Sequence, residues 1–512
     1  MEDLIGAMGQ GAAILFNPDT LFITILYMTG GLLLGMFVGA LPGLTTVTAM
    51  AILLPIVFFL EPIFGIPFLL GIYKGGIYGG SIPAILVSMP GTGAAVATTF
   101  DGPALTRQGK GRKALEMALF SSVVGDFSSD VFTIFAIVPI ALVALKIGPP
   151  ELGAILFLSL IVISATGSGA FVKSLLVMVL GLFVAMIGQD PIGALSRFTF
   201  DIFALRSGIS LLPMLIGLFA LSELLLNIEK KASALIESNL KVREGERLRW
   251  HEFRACGRTI ARSTVIGTMI GMIPGIGQVV AAFVGYAAAK NASKHPERFG
   301  KGELEGVAAA EAANNAVNGP TLVPMLTFGI PGDNITAILL GAFIAVGMRP
   351  GPQLMAEQGP QVFAILLAMV LANVLFLVVG YLSIPLFARV VRIPKSLLMP
   401  LTIMFAFAGV FAVRNNPTDL YVLATFGVIG YVLRKFHFDV APLAMAFILG
   451  PEIERAVSQT LSLSKGDVVG YILFERPITV AILVLTPIIA WSLWRRSRRL
   501  QRRKLGTTTQ EE

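Results

Sequence analysis

The sequence predicts an all-α polytopic membrane protein. Of its 512 residues, 55% are hydrophobic and only 14% are charged, whereas a soluble domain has about 25% charged residues. The mean hydropathy is +0.81, and several stretches approach or exceed the ~20 apolar residues that cross a bilayer. These observations exclude a soluble enzyme, a secreted disulfide scaffold and a disordered chain.

The composition also argues against several kinds of site. The single cysteine, Cys256, cannot form an intramolecular disulfide, and the three histidines lie apart without the spacing of a zinc site. No P-loop, Gly-x-Ser-x-Gly or His-Glu-x-x-His motif occurs, so we predict no catalysis and no cofactor. We also expect no cleavable signal peptide, because the first residues, Met1-Glu2-Asp3, lack a basic segment.

The net charge of +8 comes largely from two basic clusters, at 230–262 and 495–504. Basic clusters beside apolar spans are typical of cytoplasmic loops. We therefore place both clusters in the cytoplasm and expect no nucleic-acid partner.

Short motifs recur in the same order in the two halves of the chain. The matched pairs are Pro42-Gly43 with Pro274-Gly275, Pro90-Gly91 with Pro331-Gly332, and 102–109 with 351–359. Because three ordered matches are hard to obtain by chance, the sequence predicts an internal duplication.

Loop charge predicts how the two copies are oriented. Between the two Pro-Gly motifs, the first copy has no basic residue at 60–65, whereas 290–301 in the second copy holds four. After the second motif the bias is reversed. Equivalent loops are thus expected on opposite sides of the membrane, as in an inverted-topology repeat with broken helices and re-entrant hairpins.

This architecture predicts roughly 10–14 membrane segments. The first repeat is expected at 1–227, a basic cytoplasmic linker at 228–262 and the second repeat at 263–475. A terminal transmembrane helix and a basic cytoplasmic tail are expected at 476–512.

The four Pro-Gly turns are the candidate site. Where a half-helix starts after such a turn, its free N–H groups favour an anion, and where one ends, its carbonyls can coordinate Na⁺. Simple kinks or interfacial turns are the alternative. The predicted substrate-binding residues are Pro42, Gly43, Thr45, Thr46, Lys74, Pro90, Gly91, Thr92, Gly93, Pro274, Gly275, Gly277, Gln278, Asn314, Asn315, Pro331, Gly332 and Asn334.

Asp333 is predicted to couple a cation, together with Asn318 and Thr46. An ionised aspartate in lipid is costly and is therefore functional by default; a carboxylate that caps a helix at the water interface is the alternative. Lys74 is expected to pair with a substrate carboxylate, or else to snorkel to an interface. For the asparagines, hydrogen bonding between helices is the alternative.

These motifs resemble the large membrane subunit of tripartite tricarboxylate transporters, the TctA type. The matching runs lie at 39–46, 78–86, 90–93, 101–103, 271–277, 314–315 and 328–334, and the likeness extends from about residue 20 to 490. The resemblance implies an ion-gradient-driven importer of carboxylates such as citrate in a bacterial inner membrane. It also implies two partners, a small four-helix membrane subunit and a periplasmic solute-binding protein.

Na⁺ is preferred to H⁺ as the coupling ion. Two other classes of function remain open from the residues alone. One is a gated anion channel that uses the same turns, and the other is a membrane-embedded enzyme that acts on lipid-linked substrates.

Overall fold

The computed structural model describes residues 2–41, 44–166, 171–190, 195–229, 246–390 and 395–508. Helices account for nearly all of the regular structure there. In the first half they are α1 Glu2–Leu15, α2 Pro18–Gly39, α3 Thr46–Val57, α4 Pro62–Val87, α5 Gly102–Arg107, α6 Gly111–Ala144, α7 Pro149–Thr166, α8 Phe171–Ala185, α9 Leu211–Leu215 and α10 Ser222–Glu229. In the second half they are α11 Trp250–Ala255, α12 Gly257–Gly271, α13 Gly277–Ala292, α14 Leu304–Asn315, α15 Leu322–Phe328, α16 Asn334–Ala345, α17 Leu354–Val390, α18 Lys395–Arg414, α19 Pro417–Lys435, α20 Ala441–Leu463, α21 Val468–Gly470 and α22 Pro477–Thr508.

Short elements complete the described chain. A π-helical turn at Ile216–Leu221 joins α9 to α10, and a second one, Tyr471–Glu475, follows α21. The 3₁₀ helices are Ala94–Phe100, Phe203–Leu205 and Pro296–Arg298. Two strands, β1 Gly188–Gln189 and β2 Ser196–Arg197, pair antiparallel with Gly188 opposite Arg197.

Several helices are long and apolar enough to cross a membrane, which confirms the all-α, multi-pass class. Within the described ranges, four helices qualify by length and composition, and a pair bent by 98° is a fifth candidate. The four are Pro18–Gly39, Gly111–Ala144, Leu211–Glu229 and Leu354–Leu386, and the bent pair is Val468–Glu475 with Pro477–Ser492. Shorter apolar helices are also present. The total of 10–14 segments stays a prediction.

The order of elements is the same in the two halves. In each half a helix leads to a Pro-Gly turn, a second helix follows, and a third leads to the other Pro-Gly turn. In the second half this third helix is broken, because the turn 316–321 separates α14 from α15. The inversion of one copy relative to the other, and the predicted domain boundaries, stay predictions.

The described end of the predicted linker binds to the start of α6. The Lys113 ammonium donates to Glu246 Oε1 at 2.6 Å and to Glu252 Oε1 at 2.8 Å. The backbone N–H of Leu248 donates to Glu116 Oε2 at 2.8 Å. The hydrogen bond from Lys113 holds the pKa of Glu246 below its usual value, so this contact keeps its charges to a lower pH than a free glutamate would.

Helices α2 and α4 approach each other closely because glycine occupies every fourth position on both. The matching glycines are Gly31, Gly35 and Gly39 on α2 and Gly71, Gly75 and Gly79 on α4. A methyl group on Gly35 would lie 2.4 Å from the carbonyl oxygen of Ile72, and one on Gly75 would lie 2.3 Å from that of Leu32. Small residues at this spacing let membrane helices touch backbone to backbone. The contact fixes α4, which carries several of the buried polar groups described below.

We predict that Gly35→Ala destabilises the protein while Gly30→Ala does not. Both glycines lie inside α2, but nothing lies within 4 Å of a methyl group on Gly30. Overpacking a close contact costs about 1–3 kcal/mol, whereas alanine in an open helical position gains up to about 1 kcal/mol over glycine. Thermal unfolding of the purified variants in detergent measures the difference. Equal melting temperatures for the two variants would contradict the close contact.

Candidate functional site

Residues that follow all four Pro-Gly turns line one cavity of about 440 Å³. The turns lie far apart in the sequence, so only the fold brings them together. They contribute Thr45 and Thr46 from the first turn, Thr92 and Gly93 from the second, Gly275, Gly277 and Gln278 from the third, and Asp333 and Asn334 from the fourth. Pro42 and Gly43 themselves lie outside the described residues.

The turns also contact one another. The N–H of Gly275 donates to the carbonyl of Gly332 at 2.8 Å, which joins the third turn to the fourth. A methyl group on Gly93 would lie 3.1 Å from Val279 Cγ2, so the second turn adjoins the third. Gly275 has a φ of +84°, a backbone conformation that glycine adopts without strain.

Of the helices that begin at the cavity, α3, α13 and α16 follow Pro-Gly motifs, and their N-termini differ in capping. At α3 the hydroxyl of Thr45 accepts from the Thr48 N–H at 3.3 Å, and at α16 the Asp333 carboxylate accepts from the Thr336 N–H at 2.8 Å. The N-cap position of α13, Ile276, provides no side-chain cap. The free N–H groups and the dipole of α13 thus remain available to an anion at the cavity wall.

The cavity lining carries more negative than positive charge. Its ionisable residues are Glu223 on α10, Asp333, Arg434 on α19 and Asp439, which sum to a formal charge of −2. Arg434 Nη1 lies 3.9 Å from Glu223 Oε2. Its Nε is buried and has no hydrogen-bond partner in the part of the chain that the structure describes. A bound anion would therefore meet one guanidinium among three carboxylates.

A chain of hydrogen bonds leads from the cavity into the protein. The Tyr73 hydroxyl donates to Asp333 Oδ2 at 3.2 Å. The amide of Gln278 donates to the Tyr73 hydroxyl at 2.7 Å and to Asn318 Oδ1 at 2.9 Å. Asp333 is thus both the cap of α16 and the cavity end of this chain.

The chain ends in a buried cluster of charges. Asn318 donates to Asp126 Oδ1 at 3.2 Å, and the Lys74 ammonium donates to Asp126 at 2.7 Å and to Asp130 at 2.6 Å. Asn373 on α17 donates to Asp130 at 2.6 Å. The side chain of Lys74 is 1% exposed, and the two aspartates are fully buried. A buried ion cluster persists only when its partners are this well placed.

Comparison with known proteins decides the family. The model of the tripartite tricarboxylate transporter TctA family matches residues 25–445. The chain belongs to the TctA family. No solved structure matches it.

Two relatives of this TctA chain are proteins of Agrobacterium vitis. One, named as an uncharacterized 52.8 kDa protein in the TAR-I ttuC' 3' region, is 34% identical over 95% of both chains. The other, named as an uncharacterized protein in the TAR-II ttuC' 3' region, is 36% identical over 43% of this chain and 90% of its own length.

Membership of the TctA family makes this chain a component of a tricarboxylate transporter, and TctA is a family of transporters. A TctA protein is the large subunit of a tripartite system, which implies partner subunits. The apolar helices agree with a multi-pass membrane protein.

The predicted residues of this TctA chain fall into three groups. Those that line the cavity are Thr45, Thr46, Thr92, Gly93, Gly275, Gly277, Gln278, Asp333 and Asn334. Those that shape or join the turns without lining the cavity are Pro90, Gly91, Pro274, Pro331 and Gly332. Those that lie buried behind the cavity lining are Lys74, Asn314, Asn315 and Asn318. Their roles as ligands stay predictions, although the Lys74 ammonium is held by two aspartates rather than presented to the cavity.

Sequence reasoning missed four residues of the TctA site. Glu223, Arg434 and Asp439 line the cavity from outside the Pro-Gly motifs, and Tyr73 connects the cavity to the buried cluster. Glu223 lies near the end of an apolar segment, and an ionisable residue at such a position is the one sequence signal that could have indicated this site. Arg434 and Lys435 lie at the end of an apolar segment, where basic residues are common.

Proposed function

We propose that this TctA chain is the large membrane subunit of a binding-protein-dependent secondary transporter that imports tricarboxylates or related carboxylates. An ion gradient drives the import, with Na⁺ preferred to H⁺. The convergence of four turns on one cavity, in a chain of this family, carries the proposal. Cavities of roughly 300–1,000 Å³ are typical of small-molecule sites.

The carboxylate is bound by the N-terminus of α13 and by Arg434. Gly277 and Gln278 begin α13, which has no side-chain cap, so its backbone N–H groups can donate to a carboxylate oxygen. Arg434 supplies the positive charge in the lining, and a guanidinium suits planar carboxylate groups. Asn334, Thr92 and the other polar residues of the turns complete the predicted substrate contacts.

The excess negative charge of the lining explains why a cation accompanies the substrate. A polyanion that enters a wall of formal charge −2 is repelled unless cations bind with it. Asp333 provides a carboxylate, and the Thr46 hydroxyl lies buried at the lining without a hydrogen-bond partner among the described residues. Asn318 lies behind the cavity lining, where its side-chain amide accepts a hydrogen bond from Gln278 and donates one to Asp126. These three residues are the proposed cation-coupling group.

Membership of the family supports the proposed partners and location. A small four-helix membrane subunit and a periplasmic solute-binding protein complete the proposed system in a bacterial inner membrane. The basic linker 228–262 and the C-terminal tail face the cytoplasm in this proposal, as their charge favours.

Uptake by proteoliposomes tests the function. This chain is reconstituted with its small subunit and binding protein, and a panel of labelled carboxylates is offered under an imposed Na⁺ gradient or pH gradient. We expect saturable accumulation of a carboxylate that needs the Na⁺ gradient and the binding protein. Downhill flux without accumulation would indicate the anion channel, and no flux under either gradient would contradict the proposal.

We predict that Arg434→Gln raises the KM for carboxylate uptake about tenfold, because a hydrogen bond to a charged group is worth about 1.5–3 kcal/mol. The Na⁺ dependence and the maximal rate should change far less. Arg455→Gln is the matched control, since Arg455 pairs with Glu452 at an exposed position of α20. A wild-type KM in the Arg434 variant would remove it from the substrate site.

We predict that Asp333→Asn raises the Na⁺ concentration for half-maximal uptake about tenfold without loss of folded protein. Asparagine caps a helix as well as aspartate does, so the change removes the charge but keeps the cap of α16. Asp467→Asn is the control, because Asp467 also caps a helix and accepts from Gly470 N–H at 2.8 Å at an exposed position. Unchanged Na⁺ dependence in the Asp333 variant would limit that residue to capping.

A further inference from the structure

Behind the second Pro-Gly turn, three hydroxyl groups surround the carboxylate of Glu311. Ser81 on α4 donates to Glu311 Oε1 at 2.6 Å, Thr98 of the 3₁₀ helix donates to the same oxygen, and Ser122 on α6 donates to Oε2 at 3.3 Å. Glu311, Ser81 and Ser122 are fully buried, and Thr98 is 1% exposed. Four separate elements thus place oxygen atoms around one buried point.

This carboxylate has no positive partner among the residues that the structure describes. Within the described ranges, no lysine, arginine or histidine nitrogen lies within 4.0 Å of it. Lys74, a buried cation of the same region, is already shared by Asp126 and Asp130. Because a buried charge without a counter-charge costs several kcal/mol, the Glu311 site calls for a cation.

Two buried asparagine side chains at the C-terminal end of α14 provide a second observation in favour of a cation. Asn315 donates from Nδ2 to Ser122 Oγ at 2.8 Å, which places its amide at the carboxylate, and its Oδ1 has no partner among the described residues. Neither side-chain atom of Asn314 has one there either. Both asparagines are fully buried. An amide oxygen left unbonded inside a protein is costly unless a ligand or a water molecule binds it.

The backbone at the C-terminal end of α14 also favours a cation. Glu311, Asn314 and Asn315 form the last turn of α14, whose chain leaves the helix after Asn315. The C-terminal end of a helix carries partial negative charge and attracts cations. Ends of broken helices in transporters coordinate Na⁺ in this way.

We propose that Glu311, Ser81, Thr98, Ser122 and Asn315 form a Na⁺ site. The inference rests on the proposed function, because it adds a second cation site to that transporter, separate from the one proposed at Asp333. The donor set is one carboxylate with hydroxyl and amide oxygens, which suits a monovalent hard cation. It lacks a second carboxylate and any histidine or cysteine that would favour a divalent or transition metal.

Occupation of this site stabilises the wall of the cavity. Thr98 follows Thr92 and Gly93, which line the cavity, and Ser81 follows Gly80, whose carbonyl accepts from the Gly91 N–H at 3.0 Å. A cation that binds Ser81 and Thr98 together therefore holds the second turn against α4. Substrate binding and cation binding share this arrangement of the turn, and each favours the other.

Binding of radioactive sodium to the full chain, purified in detergent without carboxylate, tests the site. We expect Glu311→Gln to bind one Na⁺ fewer than the wild type. Glu151→Gln is the matched control, because Glu151 is also buried, 4% exposed, but has Arg476 Nη1 at 3.8 Å from its carboxylate. It should bind as many ions as the wild type.

Thr98→Val provides a second, isosteric variant in case Glu311→Gln fails to fold. Loss of one hydroxyl ligand should weaken sodium binding at this site about tenfold. The site is overturned if both variants fold and bind sodium as the unmodified chain does, or if Thr98→Val is the one that folds and it does so. It is also overturned if the unmodified chain binds no sodium. The binding assay contains no carboxylate, so it is independent of the transport assay. If the chain binds sodium as expected but transports no carboxylate, the proposed function is refuted and the Na⁺ site is retained.

Discussion

The buried cluster in which Lys74 lies between Asp126 and Asp130 is the interaction on which the site depends. An ammonium and two carboxylates away from water are stable only if each finds its partner, and here the distances are 2.6–2.7 Å. The cluster joins α4 to α6, and the amides of Asn318 and Asn373 extend it to the second half of the chain. Helices from both halves are thereby fixed around the cavity, and loss of the Lys74 charge would leave two buried carboxylates uncompensated.

Helix α4 is the common support of these features. Its glycines bring it against the backbone of α2, so it needs no large side chains to fill that contact. Its other residues are then free to carry polar groups. Tyr73 reaches Asp333 at the cavity, Lys74 enters the charge cluster, and Ser81 binds Glu311. One helix therefore connects the cavity, the ion cluster and the proposed Na⁺ site.

Much of the site could be predicted from the repeated motifs. Residues that follow each Pro-Gly motif line one cavity, since breaks in apolar segments are tolerated only where protein or water satisfies the backbone. The prediction for Lys74 shows the limit. A lysine in an apolar segment must find an anion, but the sequence does not say whether that anion is a substrate or Asp126 and Asp130. Arg434 shows the converse, because its place at the cavity depends on how α19 lies beside α10.

The sequence by itself determined the all-α membrane class, the family and the motifs whose following residues line the cavity. These follow from composition and from local motifs, which act through backbone geometry and the hydrophobic effect. Only the tertiary structure decided which charges meet. Asp126 and Asp130 face Lys74, Glu223 faces Arg434, and Glu311 faces three hydroxyls but, in the described part of the chain, no basic side chain. Partners of this kind lie on different helices. Helix packing sets their pairing, and local sequence patterns do not predict that packing.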